Sequence, residues 1–190
     1  MSLTCSIHFG GSRSLLPSWG ALVRQVVQAV QAAGAVVHVG CAAGADQAVC
    51  QSASPSALRV FAQFSTSGAG AFSGSSVQAV RQACAAGASV AWLAGGSLAV
   101  PLCARLSRRS QAALAGCAAS VFFLATPGSH GSLAVAAHAA RAGQQVVAFS
   151  CGFSGPPAQL AGLPGSWQPA QFADRSCWQW HPSASQLALF

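Results

Sequence analysis

The chain has 190 residues, of which 53% are hydrophobic and only 6% are charged, whereas about 25% is usual for soluble domains. Its net charge of +7 comes from nine arginines opposed only by Asp46 and Asp174. Most of the arginines are scattered, which makes nucleic acid an unlikely partner and favours a phosphate-bearing small ligand. A surface with so few charges is weakly protected against association. We therefore expect a homo-oligomer or a polymer.

The N-terminus lacks the basic and apolar segments of a signal peptide, so we expect a cytoplasmic protein. Residues 110–140 carry no charge but are interrupted by Pro127 and Gly128, which argues against a membrane span. The eight cysteines form neither a Cys-x-x-Cys pair nor a compact Cys/His cluster. We therefore expect buried free thiols and no metal site.

Short apolar segments alternate with helical patterns over the first 150 residues. The predicted strands are 6–9, 35–39, 58–62, 89–93, 119–124 and 145–149, and the predicted helices are 17–34, 46–52, 77–87, 102–114 and 131–142. The glycines Gly95 and Gly96 fall in the loop before the fourth helix. This alternation predicts an α/β domain over residues 1–150, with a Rossmann-like, doubly wound, mainly parallel sheet and helices on both faces.

The composition changes after residue 150. Residues 151–190 are rich in proline and tryptophan and end in the apolar residues 187–190. They are too aromatic for a disordered tail. We expect this C-terminal extension to pack as strand and loop over the edge of the sheet, or on a neighbouring subunit.

Three loops rich in glycine and serine follow predicted strands, at residues 10–13, 40–46 and 127–132. In an open parallel sheet such loops converge on one crevice, where glycines allow close backbone approach and serine hydroxyls can donate to phosphate oxygens. The candidate ligand-binding residues in these loops are Gly10, Gly11, Ser12, Arg13, Gly40, Gly44, Asp46, Pro127, Gly128, Ser129, His130, Gly131 and Ser132.

The helix over residues 102–114 adds further candidates. Arg105, Arg108 and Arg109 are spaced i, i+3, i+4 and are predicted to share one face. Asp46 has two interpretations, as a ligand contact or as a stabiliser of a helix N-terminus. His130 could bind a ligand or act as an acid, whereas His8 and His38 are predicted to be structural because they lie within apolar strands.

The motifs Gly-Ser-Arg, Gly-x-x-x-Gly-Ala-Asp and Pro-Gly-Ser-x-Gly-Ser, together with the arginine helix, resemble those of the SLOG superfamily. This group includes Lonely Guy-type phosphoribohydrolases, the core of DNA-processing protein A and stand-alone Rossmann-like nucleotide-binding proteins. The likeness covers about residues 5–150 and is strongest to the stand-alone members. It implies a phosphate cradle at Gly128, Ser129, Gly131 and Ser132, and a nucleotide contact from Arg108 or Arg109.

One departure from the family bears on catalysis. The resemblance implies that the phosphoribohydrolases carry a glutamate at the position of Val135, and this chain has no glutamate. Acid–base cleavage of a glycosidic bond needs a carboxylate, for which Asp46 is the candidate in the crevice. The sequence thus favours binding of a nucleotide or nucleotide-derived ligand, without catalysis and in an oligomer.

Three alternatives remain. The first is a self-assembling structural protein that forms filaments or rings, and the second is a nucleotide phosphoribohydrolase. A single-strand DNA binder ranks last, because the chain has no lysine and no evident basic and aromatic stacking platform. The sequence predicts no particular cofactor; a nucleotide or another phosphate-containing small molecule is the ligand class that the loops favour.

Overall fold

The computed structural model describes residues 5–71, 73–93 and 99–183. The strands are β1 (Ser6–Gly11), β2 (Val36–Val39), β3 (Leu58–Ala62), β4 (Ser89–Trp92), β5 (Ala119–Leu124), β6 (Gln145–Ser150), β7 (Gly165–Phe172) and β8 (Arg175–Pro182). The helices are α1 (Gly20–Ala32), α2 (Ala45–Ser52), α3 (Gly74–Ala85), α4 (Leu102–Leu114) and α5 (His130–Arg141). Predicted residues Gly95, Gly96 and 187–190 lie outside the described ranges.

The strands form one sheet in the order β4-β3-β2-β1-β5-β6-β8-β7. Strands β1 to β6 are parallel to one another. Strand β8 pairs antiparallel with β6, and β7 pairs antiparallel with β8. The chain starts in the middle of the sheet and fills one side with β2 to β4. It then returns to place β5 on the other side of β1. The predicted Rossmann-like α/β fold is confirmed, with its topological switch point between β1 and β5.

Alternating side chains of the strands enter two apolar clusters. The larger cluster contains Phe9 and Val39 from the sheet and the buried valines of α1. The second contains Phe122 and Val146 from the sheet and the apolar residues of α5. Because consecutive strand residues point to opposite faces, helices cover both sides of the sheet.

The C-terminal residues extend the sheet itself. A β-hairpin of β7 and β8 pairs with β6, with Val147 opposite Gln179. Its tryptophans Trp167 and Trp180 meet edge to face, with ring centroids 5.4 Å apart, and belong to the second apolar cluster. Residues 165–182 therefore continue the edge of the sheet rather than lying over it. The division of the chain at residue 150 stays a prediction.

All eight cysteines are free. Cys41, Cys117, Cys151 and Cys177 are buried, and burial raises the pKa of Cys117 to about 11 and that of Cys151 to about 12. The expectation of buried thiols is wrong for three cysteines that lie on solvent-facing positions, Cys5, Cys84 and Cys103.

Two absences concern the described residues alone. Among residues 5–71, 73–93 and 99–183, no helix has the length and hydropathy needed to cross a membrane. In the same ranges, no three His, Cys, Asp or Glu side chains come together in a group that could hold a metal ion.

Candidate functional site

A cleft of about 720 Å³ opens at the switch point of the sheet, between α4 and α5. His8 and Phe122, from β1 and β5, form its floor. The loop after β1 and the start of α5 form its upper rim. The predicted residues that line the cleft are Gly10, Gly11, Ser12, Arg13, Asp46, Arg109, Ser129, His130, Gly131 and Ser132.

Hydroxyl groups join the first and third predicted loops. Ser12 Oγ accepts a hydrogen bond of 2.9 Å from the backbone N–H of Ala125 and lies 2.8 Å from Ser129 Oγ. Ser129 Oγ in turn donates to the carbonyl oxygen of Thr126 at 2.9 Å. The proton of Ser12 must therefore point to Ser129. Both hydroxyls, expected from the sequence to face phosphate, hold the two loops together in this structure.

The close approach of β1 and β5 needs a residue without a side chain. A Cβ at Gly11 would overlap the carbonyl oxygen of Phe123, whereas the Ser12 N–H donates to that same oxygen at 2.9 Å. Gly11 therefore allows β1 to continue two residues beyond its predicted end. This extension brings Ser12 to the rim of the cleft.

Helix α5 begins at His130, one residue earlier than predicted, so its first turn contains His130, Gly131 and Ser132. The first N–H groups of a helix have no acceptor within the helix, and the helix dipole adds partial positive charge there. All three residues line the cleft. The cleft therefore has an end suited to an anion.

Four predicted residues of the second and third loops, Gly40, Gly44, Pro127 and Gly128, do not line the cleft. A Cβ at Gly40 would overlap the guanidinium of Arg109, and one at Gly44, where φ is +71°, would overlap the carbonyl oxygens of Ser12 and Arg13. Pro127 accepts a hydrogen bond from the Ala158 N–H at 2.9 Å through its carbonyl oxygen. Gly40 and Gly44 are required by packing between protein segments.

Asp46 is buried in the first turn of α2. Its Oδ2 accepts a hydrogen bond from the Ala42 N–H at 2.9 Å and forms an ion pair with Arg109 Nη1 at 2.8 Å. The two interpretations of Asp46 are therefore compatible, because it holds the loop before α2 and also borders the cleft. Its charge is balanced by Arg109.

The three arginines of α4 do not reach the cleft together. Arg105 is buried, and its guanidinium donates to the carbonyl oxygens of Val100 and Gly70. Arg108 is exposed. Consecutive residues of a helix lie about 100° apart, so Arg108 does not share the buried side of its neighbour Arg109, which pairs with Asp46. Of the three predicted arginines, Arg109 lines the cleft and the other two do not. A ligand contact from Arg105 or Arg108 stays a prediction.

His8 and His38 are opposite each other on the paired strands β1 and β2. His38 Nδ1 lies 3.1 Å from the carbonyl oxygen of Ala113 and 3.3 Å from Cys117 Sγ. His8 Nδ1 is buried without a hydrogen-bond partner among the described residues. Burial, assisted by the positive Arg109 and by His38, lowers the pKa of His8 to about 3, so His8 is neutral near pH 7.

The sequence-based interpretation of His8 as a structural residue missed its place on the floor of the cleft. One signal was available: Ile7 and Phe9 alternate with His8 along β1, which places the imidazole on the opposite face of the sheet. That face carries the cleft because α4 and α5 separate there.

Apolar side chains form part of the lining between α4 and α5, beside the polar Ser107, Ser110 and Gln111. Leu106 and Leu114 of α4 face Val135 of α5 across the cleft. Val135 packs against the second apolar cluster, so the position that the family resemblance reserves for a glutamate is part of an apolar wall. Of the two carboxylates, Asp46 lines the cleft with its charge balanced, and Asp174 lies in the turn between β7 and β8.

These features define a Rossmann-like domain with a ligand-sized cleft at its switch point. Among solved structures, the chain is similar to DNA processing protein A from Streptococcus pneumoniae, with a TM-score of 0.59 and 17% identity over 75% of this chain and 49% of that chain. It is also similar to DNA processing protein A from Helicobacter pylori, described for its single-stranded DNA binding mode, with a TM-score of 0.58 and 13% identity over 75% of this chain and 63% of that chain.

The chain thus spans about half of the first structure and less than two thirds of the second. No model of a known family matches the sequence, and a sequence comparison with curated proteins gives no match. At these identities the likeness concerns the fold. It confirms a Rossmann-like core with a fold similar to that of DNA processing protein A.

Proposed function

We propose that this protein binds a nucleotide or a nucleotide-derived ligand in the cleft between α4 and α5. The observation that carries the proposal is the convergence of the loop after β1, Arg109 and the first turn of α5 on one cleft at the switch point. The phosphate takes the N–H groups of Gly131 and Ser132, where the helix dipole favours an anion. The part of the cleft lined by Leu106, Leu114 and Val135 accepts the rest of the ligand.

We propose binding without cleavage. Hydrolysis of a glycosidic bond uses a carboxylic acid or carboxylate beside the scissile bond. In this cleft the carboxylate is that of Asp46, whose Oδ2 is engaged by Ala42 and Arg109. Val135 contributes no proton-transfer group, and the histidines of the same wall, His130 and His138, supply no carboxylate. The alternative of a phosphoribohydrolase is therefore less well supported than a binding protein.

Isothermal titration calorimetry with AMP and UMP tests the phosphate site. The substitution Gly131→Asp places a negative charge in the first turn of α5, where a Cβ meets no atom within 4 Å. The folded protein tolerates that charge because acidic residues suit a helix N-terminus, whereas a bound phosphate is repelled. We expect at least a tenfold weaker affinity, about 1.4 kcal/mol.

Gly131→Asn is the matched control, because asparagine has the shape of aspartate without its charge. Its affinity should stay nearer to that of the unmodified protein. Equal affinities for the aspartate and asparagine variants would place the phosphate elsewhere. Absence of binding by the unmodified protein at millimolar AMP and UMP would overturn the proposed function.

Single-stranded DNA is a second candidate ligand. Two observations favour it: the net charge of +7 and the single-stranded DNA binding named for the Helicobacter pylori neighbour. They speak against the sequence-based prediction that nucleic acid is an unlikely partner. Fluorescence anisotropy with a labelled oligothymidylate decides between the candidates, since binding to DNA that UMP does not displace would favour this second function.

We further propose that the protein works as an oligomer. Strand β7 lies at the end of the sheet and pairs on its other side with no strand among the described residues. Such an edge offers backbone groups for pairing, although Pro169 interrupts it. Native mass spectrometry tests the oligomer and any retained nucleotide together. A ligand-free polymer would favour the structural alternative, and a monomer of 18.9 kDa would exclude both assemblies.

A further inference from the structure

The cleft runs down the sheet as a groove between two helices. Helix α5 forms one wall from His130 at its first turn to Arg141 at its last, a length of about 18 Å for its 12 residues. Helix α4 forms the opposite wall, which carries Leu106 and Leu114 as well as polar side chains such as Ser110 and Gln111. The end suited to an anion is continuous with a deeper part, whose floor is formed by His8 and Phe122.

The floor carries an unusual polar group. His8 is 3% exposed, and its ring centroid lies 5.6 Å from that of Phe122. Its Nδ1 has no hydrogen-bond partner in the described part of the chain, and the same is true of Nε of the adjacent, buried Arg109. Buried polar groups are normally paired, so each exception needs an explanation. A ligand in the groove supplies one.

The cleft meets the largely buried imidazole at the edge of the ring beside Gly10. A Cβ at Gly10 would lie 3.2 Å from Cε1 and 3.6 Å from Nε2 of His8, and Gly10 lines the cleft. Because Gly10 has no side chain, a ligand atom can approach this edge of the ring from the cleft. Rotation of the ring by 180° about χ2 exchanges the positions of nitrogen and carbon atoms, so a ligand can meet a nitrogen in either orientation.

We propose that His8 binds the nucleobase of the ligand, with the base seated between α4 and α5 against Phe122 and the phosphate at the first turn of α5. This assignment rests on the proposed nucleotide-binding function and deepens it. A neutral imidazole offers one N–H donor and one acceptor, which matches the mixed donors and acceptors on the edge of a base. The apolar side chains in the two walls, Leu106, Leu114 and Val135, suit the faces of a planar, uncharged heterocycle.

The spacing along β1 agrees with this placement. His8 and Gly11 are three residues apart, which in a strand corresponds to about 10 Å. Ser12, beside Gly11, is joined to Ser129 just before the anion end of the groove. A nucleoside monophosphate has the length to place its phosphate at one of these points and its base at the other.

Calorimetry with AMP, UMP and ribose 5-phosphate tests the role of His8, because the sugar phosphate lacks the base. For His8→Phe, which keeps an aromatic ring without its nitrogens, we expect about tenfold weaker binding of the preferred nucleotide. Binding of ribose 5-phosphate should change by less than about twofold. The matched control is His38→Phe, on the neighbouring strand and outside the lining of the cleft, which should leave the ratio of the two affinities unchanged.

The outcomes separate this inference from the proposed function. If the unmodified protein binds neither nucleotide nor ribose 5-phosphate, the proposed function fails. If it binds nucleotides but no more tightly than ribose 5-phosphate, or if His8→Phe weakens both ligands equally, the role of His8 is overturned and the phosphate site stands.

A measurement on the unmodified protein covers the case in which a variant does not fold. Nitrogen-detected NMR of the imidazoles reports the tautomer of each histidine. Binding of the preferred nucleotide should shift the ring nitrogens of His8 and leave those of His38 in place. Unchanged His8 nitrogens at saturation would contradict the assignment.

Discussion

Two adjacent regions of the sheet carry the same residue on the same face and differ in what lies above it. On β2, His38 is covered by α4, whose Ala113 carbonyl oxygen pairs with the imidazole. On β1, His8 faces the gap between α4 and α5 and has a nitrogen without a partner among the described residues. Both side chains are buried, so the difference is not one of exposure: His8 lines the cleft and lacks a partner for Nδ1 among the described residues, whereas His38 is paired with α4 and lies outside the cleft lining.

The largest expected effect comes from breaking the contact that joins α4 to the first turn of α2, the ion pair of Arg109 and Asp46. Asp46→Asn keeps the shape of the side chain but leaves the charge of Arg109 buried and unbalanced. We expect the free energy of unfolding to fall by about 3–5 kcal/mol, measured by urea denaturation.

The control is the chain's other carboxylate, Asp174, which lies at φ 57° in an exposed turn where asparagine is well tolerated. Asp174→Asn should change the stability by less than about 0.5 kcal/mol. Similar losses for the two variants would mean that the ion pair does not hold α4 in place. The difference between the paired His38 and the Nδ1 of His8, which has no partner among the described residues, would then need another cause.

The sequence predicts the elements of the fold better than their contacts. The bounds of β3, α4 and β5 agree with prediction because their apolar patterns are flanked by glycine or proline. The start of α5 differs by one residue, since Ser129 and His130 can both enter a helix. These features depend on residues close together in the chain.

The contacts that shape the cleft depend on residues far apart. The partner of Asp46 lies 63 positions away, on a helix that follows two more strands. No local pattern distinguishes Arg108 from Arg109 as that partner. The pairing of β8 with β6 and the separation of α4 from α5, which lets the cleft reach His8, likewise result from packing of the whole domain.

A second prediction uses pH to sharpen the comparison. The folded protein keeps His8 neutral to about pH 3, whereas the unfolded chain binds a proton near pH 6.5. The unfolded state therefore gains protons as the pH falls. Through His8, the free energy of unfolding should fall by about 2 kcal/mol between pH 7.5 and pH 5. Burial also lowers the pKa of His38, which adds a loss of the same sign.

Urea denaturation at several pH values measures this dependence. The variant His8→Phe removes the contribution of His8 and retains that of His38, so its stability should fall less steeply with acid. With only two carboxylates in the chain, little other acid titration obscures the difference. A slope unchanged by His8→Phe would show that His8 is not kept neutral by its surroundings.

The smallest expected effect is a difference in sign between the two histidines at pH 7.5. His8→Phe removes a buried nitrogen that lacks a partner, and its extra volume can enter the cleft, so the stability should rise by about 1 kcal/mol. His38→Phe removes a nitrogen paired with Ala113, so the stability should fall by about 1 kcal/mol. A loss of stability in both variants would mean that the imidazole of His8 is hydrogen-bonded in solution. His8 would then not be available to bind a ligand. Opposite signs would identify His8 as a residue kept at a cost to stability, which is typical of a binding site.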